Sequence, residues 1–322
     1  MENNITLSAA AEMLAGSENL LILAHEHPDG DTLGCAFALK HAFSGEGRRV
    51  EVACCDPVRP TLAFISGAED LAVPEDFEPD LVCTVDVAAV SMLGGLYEKY
   101  RDRLKLKIDH HRTSELFAEY YYVDDTAAAC GEIIFRMLKG CGRLNKPVCD
   151  ALYAAIASDT GSFKFGNSTA DSHRISAELM DLGADFKYVN RMLFEQRTPG
   201  ELAAQRAALA GLRFYAGGRI AAVGFTNEMM ERDGFDEDDI APLHSLPREI
   251  MGVEMGITIR QTEADPGLYK ISTRSSGEPD CSAVCAVFGG GGHKGAAGCK
   301  IRAASLGEAE RLIVAEAEKA LS

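Results

Sequence analysis

Residues 19–43 read NLLILAHEHPDGDTLGCAFALKHAF. A short apolar run over 19–24 breaks into His25-Glu26-His27-Pro28-Asp29-Gly30-Asp31 and resumes as TLGCAFALKHAF, whose apolar positions fit a buried helix. The order is strand, loop, helix, and the strand recurs. Residues 49–54 read as a strand, 80–85 as a strand ending at Asp86, and 104–108 as a strand ending at Asp109-His110-His111. Strands alternating with helices predict a mostly parallel sheet. Ligands gather where such strands end, so these acidic and His-bearing loops point to one site.

Helical patterning returns at 127–139 and 148–157, the second just after Pro147, a favoured first-turn residue, and Asp159 sits at its end. The stretch FEQRTPG at 194–200 interrupts the pattern before an Ala-rich helical segment at 201–212. Strands are expected at 219–225, 255–260 and 269–273, followed by a Gly-rich run over 289–298. The fold class is therefore α/β. A parallel-sheet domain spans 1–194, a helical connector 195–212, and a smaller α/β domain with a mixed sheet 213–322, with the active site expected in the cleft between the domains.

A chain of 322 residues is long enough for two domains of ordinary size. Lys plus Arg total 32 against 49 for Asp plus Glu, a net charge of −17, which argues against tracking along a nucleic-acid polymer. A small anionic substrate survives that objection, because metal ions and a few local cationic side chains can set the field in one site. Of the 10 cysteines, Cys54 and Cys55 are adjacent and Cys281 and Cys285 are spaced CxxxC. With no paired CxxC they read as small buried thiols of a reducing cytosol. Residues 1–16 lack a signal-peptide pattern, and no run reaches the roughly 18 apolar residues of a membrane span, so the expected location is the cytoplasm.

Hard divalent cations favour carboxylate oxygens with some imidazole nitrogen, and two ions sharing a carboxylate can activate water between them. His25, Asp29 and Asp31 share one loop, Asp86 ends a strand, His110 and His111 end another, and Asp159 ends a helix. Alone, Asp29 or Asp31 would be a turn former or helix cap. Together, these Asp and His residues would bury more negative charge than turns require, at several kcal/mol per unpaired ion. Asp124 and Asp125 read as the cap of the helix that follows them, and DGFDEDD at 233–239 as a solvated turn without the closing Glu of a calcium loop.

The HEHPDGD segment, Val85-Asp86, Asp109-His110-His111 and Ser158-Asp159-Thr160-Gly161 resemble, in order and spacing, the four successive motifs of the DHH phosphoesterases. Residues 163–169 with His173, and the tail from Phe288 to Gly298, are similar to the bifunctional oligoribonucleases of that family that also dephosphorylate adenosine 3′,5′-bisphosphate. The resemblance implies two divalent ions, manganese first, with magnesium or cobalt as alternatives. His25 and Asp29 would hold one, Asp31, His110 and Asp159 the other, and Asp86 would bridge both. His111 would face the phosphate, and Asp109 would orient a histidine. In the DHH-associated second domain, Arg274, Ser275, Gly291, Gly292 and His293 would contact substrate phosphates. The implied partners are short RNA and small nucleotides, with no long nucleic acid and no membrane, and a homodimer is left open. Hydrolysis of cyclic or linear dinucleotides is the rival reading within the same chemistry, and nucleotide binding without catalysis is the rival outside it. A pyrophosphatase fits less well, because the GGGGHK run and Arg274 point to a different second domain.

Overall fold

In the computed structural model, which describes residues 3–45, 47–65, 71 and 73–321, the apolar runs form strands β1 (Asn19–Leu23), β2 (Arg49–Ala53), β3 (Leu81–Val85), β4 (Leu104–Asp109) and β5 (Tyr120–Val123). They pair in parallel in the order β2-β1-β3-β4-β5. Both faces are covered, which is why β1 and β3 are near-continuous apolar runs rather than alternating ones. Leu20, Ile22, Cys83, Val85 and Ile108 pack against helices Gly30–Phe43, Cys130–Gly140 and Lys146–Asp159, whereas Leu21, Leu23, Val82 and Leu104 join Leu93 and Tyr100 on the opposite face.

β1 lies between β2 and β3, so the strand order reverses there, the position at which open parallel sheets bind ligands. Register aligns the strand ends: Leu23 lies opposite Thr84, and Val85 opposite Ile108. The residues just beyond, His25, Asp86 and Asp109-His110, therefore leave the sheet side by side.

Helix Gly30–Phe43 approaches helix Lys146–Asp159 through small residues. A Cβ at Gly34 would stand 2.5 Å from the Ala151 carbonyl oxygen and 2.8 Å from Ala155 Cβ, and one at Gly30 would stand 2.6 Å from Ser158 Cβ. Both contacts are closer than any side chain permits, so glycine is required by packing.

The chain divides into units Met1–Gln196 and Arg197–Ser322. The second contains β6 (Arg213–Tyr215), β7 (Ile220–Phe225), β8 (Met255–Gln261), β9 (Leu268–Ser275), β10 (Gly291–His293) and β11 (Ala296–Arg302), in the order β10-β11-β9-β8-β7-β6. The β7–β8 pair is parallel and the rest are antiparallel, so the sheet is mixed. Ile257, Ile259, Ile271 and Ile301 pack against helix Leu306–Ala320 through Ile313 and Ala317. The segment read as a connector forms helix Pro199–Gly211 within this second unit, where Ala204, Ala207 and Ala208 pack with Val223 and Phe225.

The Gly-rich run is a hairpin whose edge strand β10 pairs with β11. Asp124 and Asp125 do not cap a helix. Asp124 instead closes a turn, accepting from the Thr126 amide at 3.1 Å and hydroxyl at 2.6 Å, and the helix begins later, at Cys130. DGFDEDD is locally ordered: Asp236 caps helix Glu237–Ile240. Among the described residues, no helix is long and apolar enough to cross a membrane.

Candidate metal centre

Each side chain is held by its own element. Asp29 is the N-cap of helix Gly30–Phe43, its Oδ1 accepting from the amides of Asp31 and Thr32 at 3.0 and 3.1 Å. Asp31, fully buried two residues on, accepts from the amides of Cys130 at 2.6 Å and Gly131 at 2.9 Å, so it serves the N–H groups that the first turn of a second helix leaves without intrahelical partners. Asp86 follows β3 with φ +59°, a left-handed conformation unusual for a non-glycine residue, and is fixed by its amide donating to Ile108 O at 3.0 Å. Asp159 is the last residue of its helix, and Asn167 Nδ2 reaches the carbonyls of Asp159 and Ala128, each at 3.0 Å.

Three sets of side chains place ligand atoms within 4.8 Å of one another: His25 with Asp29 and Asp86, Asp31 with His110 and Asp159, and Asp86 with His110 and His111. His25 Nε2 lies 3.6 Å from Asp29 Oδ1 and 3.8 Å from Asp86 Oδ2. His110 Nε2 lies 3.2 Å from Asp86 Oδ1, 3.4 Å from Asp159 Oδ2 and 3.8 Å from Asp31 Oδ2. Asp86 thus offers one oxygen to each histidine.

On protein groups alone this cluster is under electrostatic strain. Burial lifts the Asp86 carboxyl well above its usual range, and the Asp31 charge adds to the lift. Burial raises Asp31 to about 6, and raises Asp159 well above its usual range with Asp31 adding to the effect. Burial alone would lower His110, but the contact with Asp86 and the charges of Asp31 and Asp86 overcome it and hold the imidazole at about 11. Positive charge is what the site lacks.

The donors suit a divalent cation. His25 Nδ1 faces Glu26 O at 2.7 Å and His110 Nδ1 faces Ala127 O at 3.1 Å. A proton on each Nδ1 satisfies those carbonyls and leaves Nε2 as the nitrogen turned toward the carboxylates, where a bound cation would take the place of its proton. Asp86 Oδ1 is buried and makes no hydrogen bond among the described residues.

Residues 19–156 match the model of the DHH family, N-terminal domain, and residues 207–322 match that of the DHHA1 domain. The chain thus carries a DHH domain followed by a DHHA1 domain. It is 27% identical to the bifunctional oligoribonuclease and PAP phosphatase NrnA of Thermus thermophilus over 96% of this chain and 93% of that protein. It is 26% identical to the cyclic-di-AMP phosphodiesterase GdpP of Geobacillus thermodenitrificans over 94% of this chain but 48% of that longer protein. The structure of an exopolyphosphatase-related protein from Bacteroides fragilis has the same fold, with a TM-score of 0.88 at 22% identity, covering 97% of this DHH chain and 95% of that one.

The DHH triplet itself is ordered by Asp109. Its Oδ1 accepts from His111 Nδ1 at 2.7 Å and the His110 amide at 2.8 Å, and its Oδ2 from the Ser114 hydroxyl. Burial alone would raise Asp109, but the bonds from His111 and Ser114 and the charge of Lys107 take it well below the usual range. Lys107 went unread in the sequence. It is fully buried, 3.3 Å from Asp109 Oδ2. The signal was the period of two in LKLKID, which puts Lys107 and Asp109 on one face of β4. His27, by contrast, is exposed and pairs with Asp56 at 3.2 Å.

The remaining expected site residues belong to the second unit, where they are neighbours. Arg274 lies opposite Ala296 in the sheet, its guanidinium donating to Thr273 O at 3.0 Å, and among the described residues no carboxylate pairs with it. Ser275 Oγ donates to Lys294 O at 3.1 Å, and Gly291, Gly292 and His293 form the exposed strand β10. A Cβ at Gly292, where φ is +145°, would meet Ala296 O at 2.6 Å, so the hairpin requires glycine there.

Proposed function

We propose that this DHH chain is a metal-dependent phosphoesterase that hydrolyses short oligoribonucleotides to nucleoside monophosphates and adenosine 3′,5′-bisphosphate to AMP. The observation that carries the reading is Asp86, a buried carboxylate with one oxygen toward His25 and the other toward His110. We assign His25 and Asp29 to one divalent cation, Asp31, His110 and Asp159 to a second, and Asp86 to both, with manganese the preferred ion. Such a pair would supply Lewis acidity to a hydrolytic water and neutralise charge on the phosphoryl group. Asp109 accepts from His111 Nδ1, which leaves Nε2 as the nitrogen that meets the phosphoryl oxygens.

Catalysis is assigned to residues 1–194, and substrate recognition to residues 213–322 beyond the 195–212 segment. There Arg274, Ser275 and the Gly291-Gly292-His293 strand offer a guanidinium, a hydroxyl, backbone N–H groups and an imidazole to phosphates. The relation to NrnA of Thermus thermophilus supports short RNA and adenosine 3′,5′-bisphosphate as substrates. A second reading, hydrolysis of cyclic or linear dinucleotides, draws support from the relation to GdpP.

A panel assay with Mn²⁺ on dinucleotides, a long RNA, adenosine 3′,5′-bisphosphate and cyclic di-AMP separates these readings by product. Turnover of cyclic di-AMP alone would replace the first reading by the second. A folded preparation that binds nucleotide without releasing product would make the chain a binding protein.

A further inference from the structure

We propose that Lys107 is a positioning residue of the metal centre, its buried ammonium holding the backbone turn that presents the Asp86 carboxylate. The inference rests on the reading of that centre as a two-cation site. It starts from the left-handed backbone of Asp86, φ +59°, at a residue whose side chain must meet His25 and His110 at once. The next two carbonyls, of Val87 and Ala88, turn inward onto Lys107 Nζ, the second at 3.2 Å. The third proton of the ammonium goes to Glu115 O at 2.9 Å, in the loop that follows the DHH triplet.

Three carbonyls from two loops thus converge on one nitrogen, with Asp109 Oδ2 at 3.3 Å and the Phe117 ring centre at 4.4 Å closing the shell. The same loops are stitched by two further bonds, Glu115 N to Ala88 O at 2.8 Å and Val90 N to Glu115 Oε2 at 3.0 Å. Lys107 therefore ties the turn bearing Asp86 to the loop bearing His110 and His111, and touches none of the ligand atoms itself. An ammonium suits the task because its three protons diverge from one point, whereas a planar guanidinium cannot direct three N–H groups onto carbonyls gathered around a single atom. A bond to Asp109 alone would need only charge. The carbonyls need the geometry.

The test uses the full chain and its Lys107→Met and Lys107→Arg variants. Mn²⁺ binding to metal-free protein is measured by calorimetry, thermal unfolding is followed in EDTA, and kcat and KM are measured for adenosine 3′,5′-bisphosphate. Lys107→Arg keeps the buried charge and so reads the geometry even if Lys107→Met does not fold. Both folded variants should bind Mn²⁺ about 10- to 100-fold more weakly, as when a ligand's outer support is lost. kcat at saturating Mn²⁺ should fall, with KM within about twofold of wild type. Wild-type Mn²⁺ affinity and kcat in a folded variant, with only a lower Tm, would make Lys107 structural and overturn the inference while leaving the centre intact. Wild-type protein that binds no Mn²⁺ would instead refute the centre, and the inference with it.

Discussion

Replacing Asp31 by asparagine should make the metal-free protein more stable at neutral pH. Asp31 is fully buried, and its carboxyl is lifted from 3.8 to about 6. A raised acid pKa means that folding takes up a proton, so the penalty is absent below the unfolded value, grows between pH 4 and 6, and is complete above that. Its full size is 1.36 × (6 − 3.8), about 3 kcal/mol. Asparagine removes the charge but can accept only one of the amides that Asp31 now serves, Cys130 and Gly131, and the lost bond costs about 1 kcal/mol. The net gain at pH 7.5 should be about 2 kcal/mol, shrinking to nothing or a small loss near pH 4. The chain has no tryptophan, so the assay is urea unfolding in EDTA followed by circular dichroism at both pH values. With saturating Mn²⁺ the order should invert, because wild type gains binding energy that the variant forfeits. A variant no more stable than wild type at pH 7.5 in EDTA, or a difference that ignores pH, would refute the account of Asp31 as a charge held in place for a cation.

Asp86→Ala should abolish turnover and lower the Mn²⁺ stoichiometry seen by calorimetry while leaving the circular dichroism spectrum near that of wild type; wild-type rates at low micromolar Mn²⁺ would sink the shared-carboxylate assignment. Arg274→Ala and His293→Ala should chiefly raise KM for nucleotides with Mn²⁺ binding unchanged, and loss of Mn²⁺ binding in either would remove these residues from the substrate side. Across a length series of 5′-labelled RNA, kcat/KM should be highest at about two to five nucleotides and decline beyond, since a chain of net charge −17 gains little from each added phosphate; equal efficiency on a long RNA would contradict the short-substrate reading.

The parallel sheet was readable because β1 and β3 are apolar on both faces and β1, β3 and β4 each lead into Asp or His. Tyr120–Val123 was harder to see. It is a four-residue edge strand, half-buried throughout, and its sequence YYYV carries no alternation. The Asp124-Asp125 pair misled for a different reason. It stands where a cap is expected, but the helix that follows takes its acceptor from Asp31, nearly a hundred residues earlier, and no local pattern encodes a cap supplied through tertiary contact. The site residues His25, Asp86 and His110 announced themselves by type and by their place at strand ends. Lys107 did not, because a lysine in a strand reads as solvent-facing until the fold surrounds it with carbonyls.

The close approach of helices Gly30–Phe43 and Lys146–Asp159 sets a tolerance on the chemistry. Asp31 rides near the start of one helix and Asp159 ends the other, so the gap between two acidic groups is inherited from a hydrogen-sized seam at Gly30 and Gly34. A methyl group at Gly34, four residues along the helix from Gly30, would act as a wedge against Ala151 and Ala155 and widen the jaws at their tip. Position 34 should consequently be as intolerant of mutation as the ligands themselves. Because the atom nearest that methyl would be the Ala151 backbone carbonyl oxygen, no trimming of a side chain at 151 makes room for it, and the calibre of the site is set by backbone far from any charged atom.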